Sequence, residues 1–183
     1  MLERNGGGEI STPVATSSMI DDVALAAGGT VFRTAVGSPQ VARRMIESKA
    51  VFGGEENGGL IFPDHQYCRD GGMAVAVMLE NIVINGPLSK QIAMLPIYFT
   101  VKHKIECEKE LYDRVREKVS ERNISQRQDN TDGLKLLFKD GWVLIRPSGT
   151  EPLFRVYAES RNEDRAKELA EMYLAEVSSA IEE

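Results

Sequence analysis

Arg146, Ser148, Thr150 and Arg155 fall in one short stretch, with Gly149 in its middle and Pro147 and Pro152 on either side. A guanidinium is a planar fork of donors, the two hydroxyls can donate, and the N–H groups around a glycine can approach an anion closely. Proline fixes φ, so Pro147 and Pro152 stiffen the loop around those donors. This set of groups suits an oxygen-rich dianion such as phosphate. It is not a Walker loop, because the Gly-Lys-Ser/Thr ending is missing and no helix follows at once. On chemistry alone, a Pro-Gly hairpin connection with Arg146 at the surface fits the same residues.

A second polar constellation is Gly53-Gly54-Glu55-Glu56-Asn57-Gly58-Gly59. Carboxylate plus carboxamide supplies the acceptor and the donor–acceptor that neighbouring sugar hydroxyls require. A glycine-rich turn with solvated acids is the alternative. His65 reads as a hydrogen-bonded structural histidine, since no carboxylate is obviously spaced to orient it as a base. Cys68 and Cys107 lie far apart without metal-like spacing, so two free thiols in a reduced, cytoplasmic protein are expected. The two histidines form no zinc set with them, and no metal site is expected in the chain.

The elements that must position these residues follow from periodicity. Strands are expected at Glu9–Val14, Thr30–Ala35, Ala50–Phe52 and Leu60–Pro63, and helices at Ser17–Ala27 and Pro39–Ser48. Strand–helix–strand–helix–strand order argues for a three-layer α/β domain with a largely parallel sheet. The Glu55 loop then sits at the carboxyl end of the third strand, where open α/β sheets bind ligands. Met73–Ile84 is strongly apolar and predicts a buried helix capped by Asp70. Asn85-Gly86-Pro87 breaks the chain, and Leu88–Leu95 reads as a short helical connector.

Beyond it, Tyr98–Cys107 alternates as a half-solvated strand, and Lys109–Arg122 has the apolar stripe Leu111, Val115, Val119 of a helix. Asn123–Asn130 reads as loop. Leu134–Phe138, Trp142–Ile145 and Phe154–Ser160 are strands, with a hairpin signal at Asp140-Gly141. Asn162–Ile181 is the last helix. Consecutive strands joined by short turns favour an α+β domain, an antiparallel sheet with two helices on one face. The domains are therefore expected at 9–87 and 98–183, with 1–8 and 88–97 as linkers.

Net charge is −6, and residues up to Pro87 carry six basic and ten acidic side chains. Neither half is basic, so nucleic acid is an unsuited partner, and any positive site must be built from placed residues such as Arg146. No apolar run approaches the ~20 residues of a membrane span, so no membrane partner is expected.

Arg146-Pro147-Ser148-Gly149-Thr150-Glu151-Pro152, followed by Arg155-Val156-Tyr157-Ala158-Glu159, resembles the phosphate-binding loop of the α-D-phosphohexomutases. Gly54-Glu55-Glu56-Asn57-Gly58 is similar to that family's sugar-recognition loop, although Gly59 stands where many members have His. Arg69-Asp70-Gly71 after an aromatic also matches. The resemblance runs from about Glu9 to the C-terminus and implies the third and fourth domains of a four-domain enzyme. It implies that Arg146, Ser148, Gly149 and Thr150, assisted by Arg155, grip a substrate phosphate, and that Glu55 and Asn57 contact sugar hydroxyls. It further implies that the catalytic phosphoserine and the Mg2+ loop belong to two preceding domains, with a bisphosphohexose intermediate. This stretch would then bind the phosphosugar substrate without catalysing its conversion. Asp129 and Asp132 are the nearest acidic cluster and lack the trailing arginine of the Mg2+ loop. A stand-alone phosphosugar-binding or regulatory module is the alternative function.

Overall fold

A computed structural model describes residues 1–183. The chain divides into two compact units, Met1–Ile97 and Tyr98–Glu183.

The first unit is built on a five-stranded sheet of order β2-β1-β3-β4-β5. Its strands are β1 (Gly8–Pro13), β2 (Gly29–Thr34), β3 (Phe52–Gly54), β4 (Leu60–Phe62) and β5 (Gln66–Arg69). The first three run parallel, with Ile10 opposite both Val31 and Phe52, and the last two return antiparallel. A short helix α1 (Leu2–Asn5) precedes β1, α2 (Met19–Ala26) crosses from β1 to β2, and α3 (Ser38–Ser48) crosses from β2 to β3. The sheet is buried on both faces by separate clusters. Val41 and Met45 of α3 pack with Ala50 and Ile61 on one face. Leu2 and Ala24 pack with Ile10 on the other. Gly53 lies directly against α3: a Cβ there would sit 2.2 Å from the Met45 sulfur. Residues 1–8, expected as linker, thus contain a helix whose Leu2 is buried.

Asp70 caps α4 (Gly71–Asn85) as expected, its Oδ1 accepting from the Met73 N–H at 2.8 Å. The expectation that this helix is buried is corrected. None of its residues is buried, and Val75, Leu79, Val83 and Ile84 are each more than half exposed. Its apolar residues are spread around the helix, so a single contact with the sheet cannot cover them all. Ala74, Val77 and Met78 line a groove of about 900 Å³ together with Ile20, Phe52 and Leu95. A short α5 (Leu88–Ile92) closes the unit.

The second unit is an antiparallel sheet of order β6-β10-β9-β8-β7 with two helices. Its strands are β6 (Phe99–Glu106), β7 (Arg127–Asp129), β8 (Leu134–Phe138), β9 (Gly141–Pro147) and β10 (Leu153–Ser160). Residues 127–129, expected as loop, form a short edge strand because Arg127, Gln128 and Asp129 pair with Leu137, Leu136 and Lys135. Their polarity carries no strand signal: backbone pairing holds them at the sheet edge, and the Gln128 side chain bonds to Ser120 and Asn123. Helices α6 (Tyr112–Arg122) and α7 (Glu163–Glu182) bury Val115, Val119, Leu169, Tyr173 and Val177 against Val143, Ile145, Phe154 and Val156 in one core. On the opposite face the Trp142 indole donates to Glu159 Oε1 at 2.8 Å, and Lys135 Nζ lies 4.0 Å over its ring. Glu159 is buried and accepts a second bond from the Thr100 hydroxyl at 3.2 Å. No helix is long and apolar enough to cross a membrane.

Candidate functional site

The β9–β10 hairpin positions the arginines. Arg146 and Arg155 are direct cross-strand partners, so their side chains share a face. Like charges directly opposite repel, and each arginine has its own carboxylate. Arg146 Nε donates to Asp132 Oδ2 at 3.1 Å, and Arg155 Nη2 donates to Glu151 Oε2 at 3.3 Å. Arg155 also donates to the Tyr157 hydroxyl at 3.3 Å. That bond first, and the negative charge of Glu151 with it, hold the Arg155 guanidinium protonated beyond its already high range. Gly133 makes the Asp132 contact possible. Its φ is +79°, and a Cβ would lie 2.4 Å from the Ile145 carbonyl oxygen and 2.8 Å from Arg146 Cα.

The loop tip is tied from inside. Ser148 is buried, its N–H donates to the Leu153 carbonyl at 2.8 Å, and its Oγ faces the N–H groups of Thr150 and Glu151 at 3.4 and 3.3 Å. The Tyr112 hydroxyl reaches the Glu151 and Leu153 carbonyls at 3.1 and 3.3 Å. Gly149 and Thr150 are left exposed, and the space above Gly149 is open. Arg146 and Arg155 thus share one face of the hairpin, Gly149 and Thr150 lie exposed at its tip, and Ser148 turns inward as the knot of the loop. Asp132 is the neighbour that motif reading missed. It lies fourteen positions before Arg146, and nothing in the local pattern links the two.

In the first unit, Glu55 follows β3 directly, and its turn is closed by Glu55 N–H to Gly59 O at 3.0 Å and Gly58 N–H to Glu55 O at 3.1 Å. The Asn57 side-chain oxygen accepts from the Gly59 N–H at 3.0 Å, which leaves its NH2 for other partners. Glu55 is an acid that is nearly buried, with an Oε2 that has no hydrogen bond. Arg69 Nη1 stands 3.7 Å from that oxygen, an ion-pair distance without a hydrogen bond. Gly59 gives Arg69 its room, since a Cβ there would sit 2.3 Å from Arg69 Cδ.

His65 is not without an orienting carboxylate: its Nε2 is 3.1 Å from Asp70 Oδ2, at the start of α4. The sequence separation of five hid this, because β5 lies between the two residues and its register shift against Ile61 and Phe62 shortens the span. The N–H of Met73 above all, and also the Gln66 amide, hold the Asp70 carboxyl below its usual range. Cys68 is exposed and Cys107 buried, both as free thiols. Asp129 and Asp132 do not fit a magnesium site. Asp129 Oδ1 accepts from the N–H and hydroxyl of Thr131, and Asp132 is engaged by Arg146.

Residues 1–98 match the family model described as phosphoglucomutase/phosphomannomutase, alpha/beta/alpha domain III, and residues 84–176 match the one described as its C-terminal domain. A protein of Thermococcus kodakarensis named phosphoglucomutase/phosphomannomutase is 40% identical over 185 residues, covering 99% of this chain and 40% of that protein. A probable phosphoglucosamine mutase of Methanopyrus kandleri is 40% identical over 186 residues, covering 100% of this chain and 41% of that one. Among solved structures, a phosphoglucomutase/phosphomannomutase family protein of Burkholderia thailandensis superposes with a TM-score of 0.81 at 22% identity, over 98% of this chain and 39% of that chain. N-acetylphosphoglucosamine mutase of Aspergillus fumigatus, in complex with GlcNAc-6P and magnesium, superposes at 0.67 with 16% identity, over 96% of this chain and 41% of that one. Those two likenesses show the fold. The chain spans about two-fifths of the length of the relatives it matches.

Proposed function

The chain belongs to the phosphoglucomutase/phosphomannomutase family, and from that premise we propose that it is the substrate-binding part of a phosphohexomutase. The whole enzyme interconverts hexose 6-phosphate and hexose 1-phosphate through a phosphoserine and a bisphosphohexose, in the cytoplasm. Its serine and its Mg2+ loop are supplied by two further domains of the same protein. The 40% coverage of the Thermococcus relative and the apolar surface left exposed on α4 both support that larger context. Magnesium there neutralises charge on the transferring phosphoryl group.

The residues of this chain bind and orient. Arg146 and Arg155 exchange Asp132 and Glu151 for the oxygens of the phosphate that is not being transferred. Gly149 and Thr150 add an N–H and a hydroxyl, with Ser148 keeping the loop in shape. Glu55 accepts from ring hydroxyls and Asn57 offers its free amide protons. A phosphomannomutase or phosphoglucosamine mutase is the favoured specificity, and relatives named phosphoglucomutase/phosphomannomutase and probable phosphoglucosamine mutase are compatible with it.

The observation that carries this reading is the pair of adjacent arginines, each held by a displaceable carboxylate beside an open Gly149. Calorimetry of the chain with glucose 1-phosphate and mannose 1-phosphate tests it. Weak binding is expected, reduced about tenfold or more by Arg146→Ala. Binding that ignores the substitution would refute the loop assignment.

A further inference from the structure

In the first unit, helix α2 carries the chain from β1 to β2 on one side, and α3 carries it back past β1 to β3 on the other. The carboxyl ends of β1 and β3 thus flank the point where the winding reverses, which is where sheets of this kind open a crevice for ligands. Glu55 occupies the β3 side of it. The β1 side is the loop from Val14 to Ser18, and it is held with more bonds than a plain connection needs. Arg33 of β2 donates to the carbonyls of Thr16 at 2.6 Å and Ser17 at 3.1 Å, and pairs with Asp21.

The hydroxyls at this end leave an uncommitted acceptor. Thr12 Oγ1 lies 2.8 Å from both the Gly54 carbonyl oxygen and Thr16 Oγ1. A hydroxyl has one proton, and a carbonyl can only accept. Thr12 therefore donates to Gly54, and Thr16 donates to Thr12. The oxygen of Thr16, on a half-buried residue, keeps lone pairs and has spent its proton. Close by in sequence to Gly54, the buried Glu55 Oε2 also lacks a hydrogen bond. Two acceptors without donors, at the switch point of the sheet, call for a ligand that brings donors, and a polyhydroxylated ring does so.

We propose that the β1–α2 loop is the second wall of the hexose site, with Thr16 accepting a hydrogen bond from a ring hydroxyl and Thr12 as the positioning residue that fixes the Gly54 carbonyl ahead of Glu55. This rests on the assignment of the Glu55 loop to sugar recognition.

The test is an amide-resolved NMR titration of the isotope-labelled 183-residue chain with α-D-glucose 1-phosphate and, separately, inorganic phosphate. The Gly58 and Gly59 amides report the sugar loop and Gly149 reports the phosphate loop. Thr16→Val is expected to raise the glucose 1-phosphate Kd read at Gly58 and Gly59 about fivefold, with phosphate binding at Gly149 unchanged. Thr16→Ser, which keeps the hydroxyl, is expected to bind as the parent does. Thr12→Val is expected to weaken the same signal, with recovery in Thr12→Ser. An unchanged Kd in Thr16→Val, or a Thr16→Ser variant as weak as Thr16→Val, overturns the role of Thr16 and leaves the Glu55 reading standing. Gly58 and Gly59 amides that ignore the sugar phosphate in the parent chain refute the Glu55 reading itself, and Thr16 falls with it.

Discussion

The two units solve the same packing problem with different completeness. The second gathers both helices and the sheet into one core, in which Val115, Val119, Phe154, Val156 and Val177 are sealed from water. The first divides its apolar residues between two small clusters and leaves α4 with no buried residue at all. Hydrophobic stabilisation scales with the apolar area removed from water. A side chain of the same type therefore contributes very differently in the two places. The candidate loops differ in parallel. In the candidate phosphate loop each arginine is hydrogen-bonded to its carboxylate, whereas in the candidate sugar loop Glu55 is buried with Arg69 only at ion-pair distance and one oxygen without a hydrogen bond.

The sharpest way to break the contrast is a pair of truncations. Phe154→Ala is expected to cost about 3–5 kcal/mol, and Leu79→Ala on α4 to stay within about 0.5 kcal/mol. Urea unfolding followed by Trp142, the single tryptophan and a buried residue of the second unit, reads the first change. Amide exchange in α4 reads the second. A Leu79→Ala cost comparable with that of Phe154→Ala would mean that α4 is covered in solution. Next in size is Gly53→Ala, which pushes a methyl into Met45 and should cost about 1–3 kcal/mol in amide-exchange stability of β3. The effect would vanish only if the flexible methionine moved aside freely.

Smaller is Asp132→Asn, which removes the carboxylate that competes for Arg146. The pair is largely covered, with side chains 16% and 19% exposed, so it competes at least as well as a surface pair worth up to about 1 kcal/mol, and inorganic phosphate is expected to bind about fivefold more tightly. Weaker binding would show that Asp132 orients Arg146 instead of standing in for the anion.

The least effect is in pH dependence, and it has opposite signs in the two units. Burial pushes the Glu9 carboxyl up, but hydrogen bonds from Arg44 and Ser48 outweigh it and hold the group below its usual range. Its unfolded form binds the proton more readily, so Glu9 stabilises the first unit above the ordinary glutamate pKa, and this is lost as pH falls through the depressed value. Glu176 is raised, chiefly by burial against α6, despite the Asn123 hydrogen bond. Its folded form holds the proton more readily, so its contribution declines as pH rises from the ordinary value through the raised one. Glu9→Gln should flatten the acid limb of amide-exchange stability in β1, and Glu176→Gln should flatten the slope of Trp142-monitored unfolding above it. Matching slopes in the parent chain and each variant would remove this difference.

Both loops were legible as strings of residues, because a donor-rich turn between two β-branched runs and a glycine-rich turn after a strand carry their chemistry locally. Strand alternation and the Asp70 cap were legible for the same reason. The edge strand Arg127–Asp129 was not, since it is held by backbone pairing to β8 and by the Gln128 side chain reaching back to Ser120 and Asn123, neither of which leaves an apolar alternation in the sequence. Neither was the solvent exposure of α4, because apolar composition records a preference for burial and says nothing of which surface is present to satisfy it.

Sequence alone therefore gave the order of the main strands and helices, the two-part division into parallel and antiparallel sheets, and the two turns proposed to meet the ligand. Each of these rests on neighbours along the chain and on the periods of helix and strand. Tertiary structure decided which carboxylate holds which arginine, that Ser148 faces inward, that His65 meets Asp70, and where the protons of Thr12 and Thr16 go. Those outcomes depend on distances between segments far apart in the chain, and hydrogen bonds and ion pairs act only where folding has closed those distances.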